Sequence, residues 1–314
     1  MGSISESQGM PAAHKLRKLL QEDKTIFCPG VYDGITARLA LKEDFDALYM
    51  TGAGTAASRL GEPDLGLATM NDMVENAGMI ASLDRSVPVI ADADTGYGGP
   101  LMVARTVRAY ISAGVAAMHL EDQVQNKRCG HLANKELVDE ETYLTRIRAA
   151  VLARDEMRKV SGGSADIVLI ARTDSIQSLG YEAAVSRLRN AVLAGADVAF
   201  PEGMTTMEQC SRVCKDLAPT PVLLNMVAGS ITPHLSVQEA NKLGFKIVIF
   251  PSVALDAVTE MVGEAMRELK KNQRPVASDT RKRAGVKYLF NILGLQERMA
   301  FDNAAGGKSF VEGA

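Results

Sequence analysis

The sequence predicts an α/β chain folded as a (β/α)8 TIM barrel. Eight short, β-rich apolar runs recur along it, a helical pattern follows each, and the polar residues that interrupt this rhythm gather where the runs end. The runs are 25–31, 47–51, 88–92, 116–121, 166–172, 197–201, 221–225 and 246–251. They are nearly continuous in hydrophobicity, as strands covered on both faces must be. Between them, segments 34–41, 70–83, 100–113, 140–160, 181–194, 206–217, 236–243 and 254–271 carry apolar residues at helical spacing. Pro100 suits the first turn of a helix, and Ser236 with Glu239 reads as a capping box. Breaks such as Ala113-Gly114 and Ala194-Gly195-Ala196 end the helices. An open sheet would expose edges, and no run is rich in the lysine or proline that guards them. The division expected is an N-terminal segment with a leading helix (1–20), the barrel (21–272) and a C-terminal helical extension (273–314), with a helix over 284–292.

Composition narrows the function. The 314 residues are 46% hydrophobic and 23% charged, with a net charge of −3 and a mean hydropathy near zero, an ordinary globular balance. Arg281-Lys282-Arg283 is short and reads as a solvated helix face, so nucleic acid is not an expected partner. No apolar run approaches the ~18 residues of a membrane span, so no membrane is expected either. Residues 1–13 lack the apolar core of a secretory signal. The compartment expected is the cytoplasm, with mitochondria as the alternative. Four cysteines are too few and scattered for a disulfide framework. Cys210 and Cys214 read as small packed residues of one helix, since no further metal ligands flank them.

Barrel enzymes build their sites at the C-terminal ends of the strands, and that is where the polar residues lie. The ends read Tyr32-Asp33, Thr51-Gly52-Ala53-Gly54, Asp92-Ala93-Asp94-Thr95-Gly96-Tyr97-Gly98, His119-Leu120-Glu121-Asp122, Arg172-Thr173-Asp174, Pro201-Glu202-Gly203 and Asn225. Asp92 and Asp94, two apart, would share one side of an extended strand. With Glu121 beside them they form an all-oxygen set suited to Mg²⁺ or Mn²⁺. The other reading is that these acids cap helices or pair with Arg172. The loop Lys127-Arg128-Cys129-Gly130-His131-Leu132 places cationic neighbours beside a thiol, which would lower its pKa and fit it for proton transfer. An isolated cysteine is more often a small buried hydrophobe; the polar, glycine-bearing loop favours the catalytic role, with His131 in support. Gly52, Gly54, Gly96, Gly98 and Gly99 would let backbone N–H groups approach a carboxylate. The phosphate-cradle spacings of nucleotide sites are absent.

At these residues the chain resembles the isocitrate lyase/phosphoenolpyruvate mutase superfamily, most specifically over Asp92–Gly98 and Lys127–His131. The resemblance runs from Pro29-Gly30-Val31-Tyr32-Asp33 to Phe250-Pro251, and Cys129 places it in the lyase branch. It implies a Mg²⁺ site of Asp64, Asp92, Asp94 and Glu121, reached largely through water. It implies that Tyr49, Thr51, Gly52 and Ala53 hold the α-keto acid half of a substrate. Arg172 would bind a carboxylate, with Asp92, Gly130, His131, Glu202 and Asn225 lining the pocket. Cys129, Lys127, Arg172 and Tyr49 would carry the catalysis. It also implies a final helix exchanged between subunits, in a homotetramer. Leu132-Ala133 lacks both the serine expected of oxaloacetate hydrolases and the Arg-Pro pair of methylisocitrate lyases. The branch most resembled is that of fungal 2,3-dimethylmalate lyases. The implied function is Mg²⁺-dependent cleavage of a small 2-hydroxy di- or tricarboxylate to an α-keto acid and a carboxylic acid. The alternatives are oxaloacetate hydrolysis, methylisocitrate or isocitrate cleavage, and a non-catalytic binding barrel.

Overall fold

The computed structural model describes residues 9–130, 132, 134–274 and 285–308. Eight parallel strands form its sheet: β1 (Ile26–Val31), β2 (Leu48–Met50), β3 (Val89–Asp92), β4 (Ala117–Leu120), β5 (Val168–Thr173), β6 (Val198–Pro201), β7 (Leu223–Asn225) and β8 (Ile247–Phe250). Their order is β6-β5-β4-β3-β2-β1-β8-β7. A parallel bridge from Ala199 to Val222 joins the two ends, with Ala199 N donating to Pro221 O at 3.0 Å. The barrel is closed and leaves no free edge.

The helices are α1 (Ala12–Gln21), α2 (Gly34–Leu41), α3 (Gly52–Leu60), α4 (Met70–Leu83), α5 (Pro100–Ala113), α6 (Glu140–Val160), α7 (Ile176–Leu179), α8 (Tyr181–Leu193), α9 (Met207–Asp216), α10 (Val237–Leu243), α11 (Val253–Asn272), α12 (Val286–Ile292) and α13 (Leu295–Ala304). Their starts follow capping chemistry. Asp33/Thr36, Thr69/Asp72, Thr206/Gln209 and Ser236/Glu239 form reciprocal capping boxes, and Pro100 opens α5. Asp33, a rim carboxylate by sequence, is thus a helix cap. A helix starting at Gly52 is not apparent from the apolar pattern. It forms because the Thr51 hydroxyl, directly after β2, accepts from Gly54 N. The expected helix over 284–292 is observed as α12; Ala284 and Arg281-Lys282-Arg283 lie outside the described residues.

Strand hydrophobicity resolves into two cores. Outward residues such as Leu48, Met50, Val89, Met118, Leu169 and Leu224 pack beneath the helices. Inward residues Ile26, Cys28, Tyr49, Ile90, Ala117, Val168, Ile170, Phe200, Leu223, Ile247 and Ile249 fill the barrel. Leu16 and Leu19 of α1 join this inner cluster and close its base. Burying each is worth about 1.5–3 kcal/mol.

An ion network pins α1 in place. Arg17 donates to Asp166 Oδ2 at 2.7 Å and Asp197 Oδ1 at 2.8 Å; Arg158 holds Asp166 at 2.7 and 2.9 Å, and Arg154 holds Asp197 at 3.0 Å. Burial pushes the Asp166 carboxyl up, but bonds from Arg158 and Arg17, and their charges, outweigh it and hold the group at about 2, below its ordinary 3.8. A depressed carboxyl stabilises the fold above its unfolded pKa, and that contribution disappears as pH falls through the folded value. Asp166→Asn is therefore expected to lose about 2 kcal/mol at pH 7. The gap from the unmodified chain should narrow to about half by pH 3. Urea unfolding across this range checks it; a gap unchanged with pH would mean that Asp166 is not the group that titrates.

Candidate active site

The inward alternation that fills the barrel continues upward and changes chemistry at its top. On β2 the inward position is Tyr49, on β3 Asp92, beyond β4 Glu121, on β5 Arg172, beyond β6 Glu202 and on β7 Asn225. These six are buried. They form the uppermost layer of the barrel interior, which is why the strands read as apolar until their last residues. Above them lies a cavity of about 200 Å³ lined by Tyr49, Thr51, Ala53, Asp64, Asp92, Cys129, Gly130, Arg172, Glu202, Asn225, Val227, Pro251, Ser252 and Leu255.

Of the residues expected from sequence, Gly52, Asp94, Glu121 and Lys127 stand behind this wall rather than on it. His131 lies outside the described residues. A Cβ on Gly52 would come within 2.3 Å of Asp92 Oδ2, so the glycine makes room for that carboxylate. Gly96 and Gly98 do not reach the cavity. Their neighbours are Val103, Leu120 and Met102, and they serve the turn into α5.

Asp92 and Asp94 do not share an extended strand, contrary to the expectation from their spacing. β3 stops at Asp92, and Asp94 has φ +46°, with Tyr97 at +63°. Two non-glycine residues in the left-handed region within one short turn mark a strained segment. The carboxylates adjoin because the chain turns back: Asp94 N donates to Asp92 Oδ1 at 2.9 Å.

Lys127 Nζ lies 2.6 Å from Asp64 Oδ1 and 2.5 Å from Asp94 Oδ1. Burial disfavours its charge, but Asp94, Glu121, Asp92 and Asp64 together keep it an ammonium well above the usual range. Lys127, a cationic neighbour of the Cys129 thiol in sequence, is paired in space with the Asp64 and Asp94 carboxylates. Arg172 is the second internal cation. It donates to Asp174 at 2.9 and 3.1 Å, lies 3.3 Å from Glu121 Oε2 and 3.9 Å from Glu202 Oε2, and covers the Phe200 ring at 5.2 Å. Pairing with Arg172, the alternative reading of the acids, therefore holds in part for Glu121.

The Cys129 loop is fixed at several points. Cys129 N donates to Asp64 O at 3.1 Å and Leu132 N to Cys129 O at 2.9 Å. Lys135 Nζ ties Gly130 O to Asp174 Oδ1, each at 2.7 Å. A Cβ on Gly130 would lie 2.3 Å from Arg172 Nη2, so only glycine lets the loop sit this low. The half-buried Cys129 thus lines the same cavity as Arg172 and Asp92.

The oxygen-rich corner suits a hard cation. Burial pushes the Asp92, Asp94 and Glu121 carboxyls up, Asp94 to about 6, against the pull of Lys127 and Arg172. Glu121 Oε2 has no hydrogen-bond donor among the described residues. Lys127 and Arg172 face these acids with two positive charges, and Lys135 adds a third at Asp174. No three of these groups converge on one point at ligating distance among the described residues. A cation here would meet them largely through water, as Mg²⁺ commonly does.

Sequence reasoning missed the apolar side of the cavity, Val227, Pro251 and Leu255, along with Ser252 and the tie made by Lys135. Strand eight ends in Phe250-Pro251-Ser252, with no charged residue to draw attention to it. Nor did it assign a role to His119, which lies inside the barrel beneath the rim.

Comparison with known proteins identifies the family. The family model described as phosphoenolpyruvate phosphomutase matches residues 16–270. The 2,3-dimethylmalate lyase of Eubacterium barkeri is 41% identical over 261 residues, covering 83% of this chain and 87% of that protein. A crystal structure of 2,3-dimethylmalate lyase, a PEP mutase/isocitrate lyase superfamily member, is 54% identical with a TM-score of 0.91, covering 97% of this chain and 99% of that one. An oxaloacetate acetylhydrolase bound to 3,3-difluorooxalacetate is 49% identical with a TM-score of 0.91, over 96% and 99%. Further off, a phosphonopyruvate hydrolase in complex with oxalate and Mg²⁺ is 26% identical with a TM-score of 0.79, over 96% and 100%. The barrel, the buried carboxylate rim and the cysteine loop have the same meaning as these likenesses: the chain belongs to the phosphoenolpyruvate mutase/isocitrate lyase superfamily, among its carbon–carbon lyases.

Proposed function

We propose that the protein cleaves the C2–C3 bond of a methyl-substituted malate, such as 2,3-dimethylmalate, to pyruvate and a short carboxylic acid, with Mg²⁺ (or Mn²⁺) as cofactor. One observation carries this reading. A single cavity gathers two sets of residues, the charged Arg172 and Asp92 and the apolar Val227, Pro251 and Leu255, with Cys129 also on its wall. The first suits the acid groups of a malate, the second its methyl groups.

Asp64, Asp92, Asp94 and Glu121 would hold Mg²⁺. When bound, the cation would supply charge that favours ionisation of the substrate's 2-hydroxyl, whose proton passes to solvent water. The residues of the chain do the rest. Tyr49, Thr51 and Ala53 seat the half that becomes the α-keto acid, with Gly52 behind them giving Asp92 room. Arg172 binds the other carboxylate and stabilises the charge that gathers there as C2–C3 breaks. Glu202 and Asn225, joined by a hydrogen bond of 2.8 Å, complete that wall. The Cys129 thiol then gives its proton to the carbon that has gained the bonding pair.

Oxaloacetate hydrolysis is the second reading, favoured by the similarity to the acetylhydrolase; the missing serine at Ala133 speaks against it. A product screen with Mg²⁺ separates them. Offered 2,3-dimethylmalate, citramalate, methylisocitrate, isocitrate and oxaloacetate, the enzyme is expected to release pyruvate from 2,3-dimethylmalate, with release abolished by EDTA. Oxalate from oxaloacetate as the dominant product would replace the lyase reading with the hydrolase one.

The barrel unit over 21–272 would carry an extension over 273–314 exchanged between subunits of a cytoplasmic homotetramer. Support comes from α11, which has no buried residue and exposes Val253, Val258, Met261, Val262, Met266 and Leu269. No described helix is long and apolar enough to cross a membrane. The mass by light scattering is expected to be four times that of the 33.6 kDa chain; a monomer would refute the exchange.

A further inference from the structure

One buried titratable side chain at the site has no part in the mechanism above. His119 lies on β4 one inward layer beneath the rim, wholly buried. Its ring is stacked on Tyr49, with centroids 5.9 Å apart and planes at 16°, and meets the Phe200 ring edge-on at 5.5 Å. Nε2 is 2.9 Å from Tyr49 Oη and 3.6 Å from Asp92 Oδ1. Nδ1 has no hydrogen-bond partner among the described residues.

We infer that His119 is a positioning residue whose Nε2–H donates to the Tyr49 hydroxyl and so turns the Tyr49 proton into the cavity, as a fixed donor for a substrate oxygen. Proton placement decides this. A proton on Nδ1 alone would bury an N–H with no acceptor among the described residues. A buried donor without a partner is costlier than a buried acceptor without one. A proton on Nε2 instead meets the Tyr49 oxygen at 2.9 Å. Once the Tyr49 oxygen accepts from His119, its own proton needs another acceptor. Among the described residues no carbonyl or carboxylate accepts from Tyr49 Oη, and the residue lines the cavity. In the inferred arrangement that acceptor is an oxygen of the bound acid. A donor oriented in advance stabilises developing charge without reorganisation.

The inference deepens the proposed reading of the cavity and rests on it for the identity of the acceptor; its core is testable without substrate. In the unliganded full chain, labelled with 15N-histidine and assigned by the signal lost in His119→Gln, Nε2 is expected at a protonated, pyrrole-type shift and Nδ1 at an unprotonated, pyridine-type one. The reverse pattern would overturn the inference whatever the enzyme cleaves. Kinetics on the acid that is turned over give the second test. His119→Met should lower kcat/KM about tenfold in the unmodified chain but less than about twofold in Tyr49→Phe, since a donor already lost cannot be misdirected. His119→Gln, whose amide nitrogen can take the place of Nε2, should recover most of the loss. Equal losses in both backgrounds would make His119 merely structural and refute the positioning role. Failure to cleave any 2-hydroxy acid would remove the functional reading, and the NMR shifts would still decide where the His119 proton lies.

Discussion

Cys129→Ser is expected to lower kcat/KM by about 10²–10⁴-fold, the usual weight of a positioned proton donor. A serine hydroxyl keeps the size of the thiol and its place in the cavity but gives up a proton far less readily. The loop keeps its backbone ties. Its position depends on backbone bonds from Cys129 N to Asp64 O and from Leu132 N to Cys129 O, and on the Lys135 tie at Gly130, none of which involves the sulfur. The variant should therefore fold as before and bind Mg²⁺ and oxalate with unchanged affinity by calorimetry, while pyruvate release collapses. Near-normal turnover in the serine variant would take Cys129 out of the mechanism and pass proton donation to another cavity residue. Loss of oxalate binding in parallel would show instead that the thiol shapes the pocket.

That this residue can be singled out from sequence shows where sequence is informative. Cys129 sits in a polar, glycine-bearing loop that no core would use, so its type and setting disagree unless it has a task. The strand-end acids stand out for the same reason, as charges at the close of apolar runs. The barrel itself is legible because eight runs and eight helical patterns leave few other topologies. What escapes depends on contacts between distant segments. Lys127 reads as a neighbour of Cys129 in sequence but is drawn to Asp64 and Asp94 in space. Asp33 reads as one more rim acid until its hydrogen bond to Thr36 N shows it capping α2. Asp94 meets Asp92 through a left-handed turn that alternation along a strand cannot foresee. His119 looks like one polar residue in an apolar strand, and only the Tyr49 ring stacked on it and the Phe200 ring meeting it edge-on show how it is held. Val227, Pro251 and Leu255 are ordinary apolar residues anywhere except beside a carboxylate site.

Arg172 should be the position where stability and activity fail together, and two substitutions separate them. The guanidinium lies among Glu121, Asp174 and Glu202, all buried. Desolvation works against its charge, but these three carboxylates outweigh it and hold it protonated. Arg172→Met leaves the acids without that counter-charge, and removing one partner of a buried ionic cluster costs about 3–5 kcal/mol. Denaturant midpoints should fall accordingly. Arg172→Lys retains the positive charge yet cannot keep the paired bonds to Asp174 at 2.9 and 3.1 Å while also facing the cavity. It is expected to fold with a modest loss of stability and to lower kcat/KM by about 10²-fold or more, on the scale seen when a preorganised charge-stabilising donor is removed. The division between kcat and KM is informative. An arginine that only anchors a carboxylate would raise KM, whereas one that meets the charge formed as C2–C3 breaks lowers kcat as well. A lysine variant with normal kcat and a raised KM would reduce Arg172 to an anchor and move charge stabilisation to the Mg²⁺ corner. A fall in kcat would place the developing carbanion beneath the guanidinium, in the cavity that Cys129 also lines.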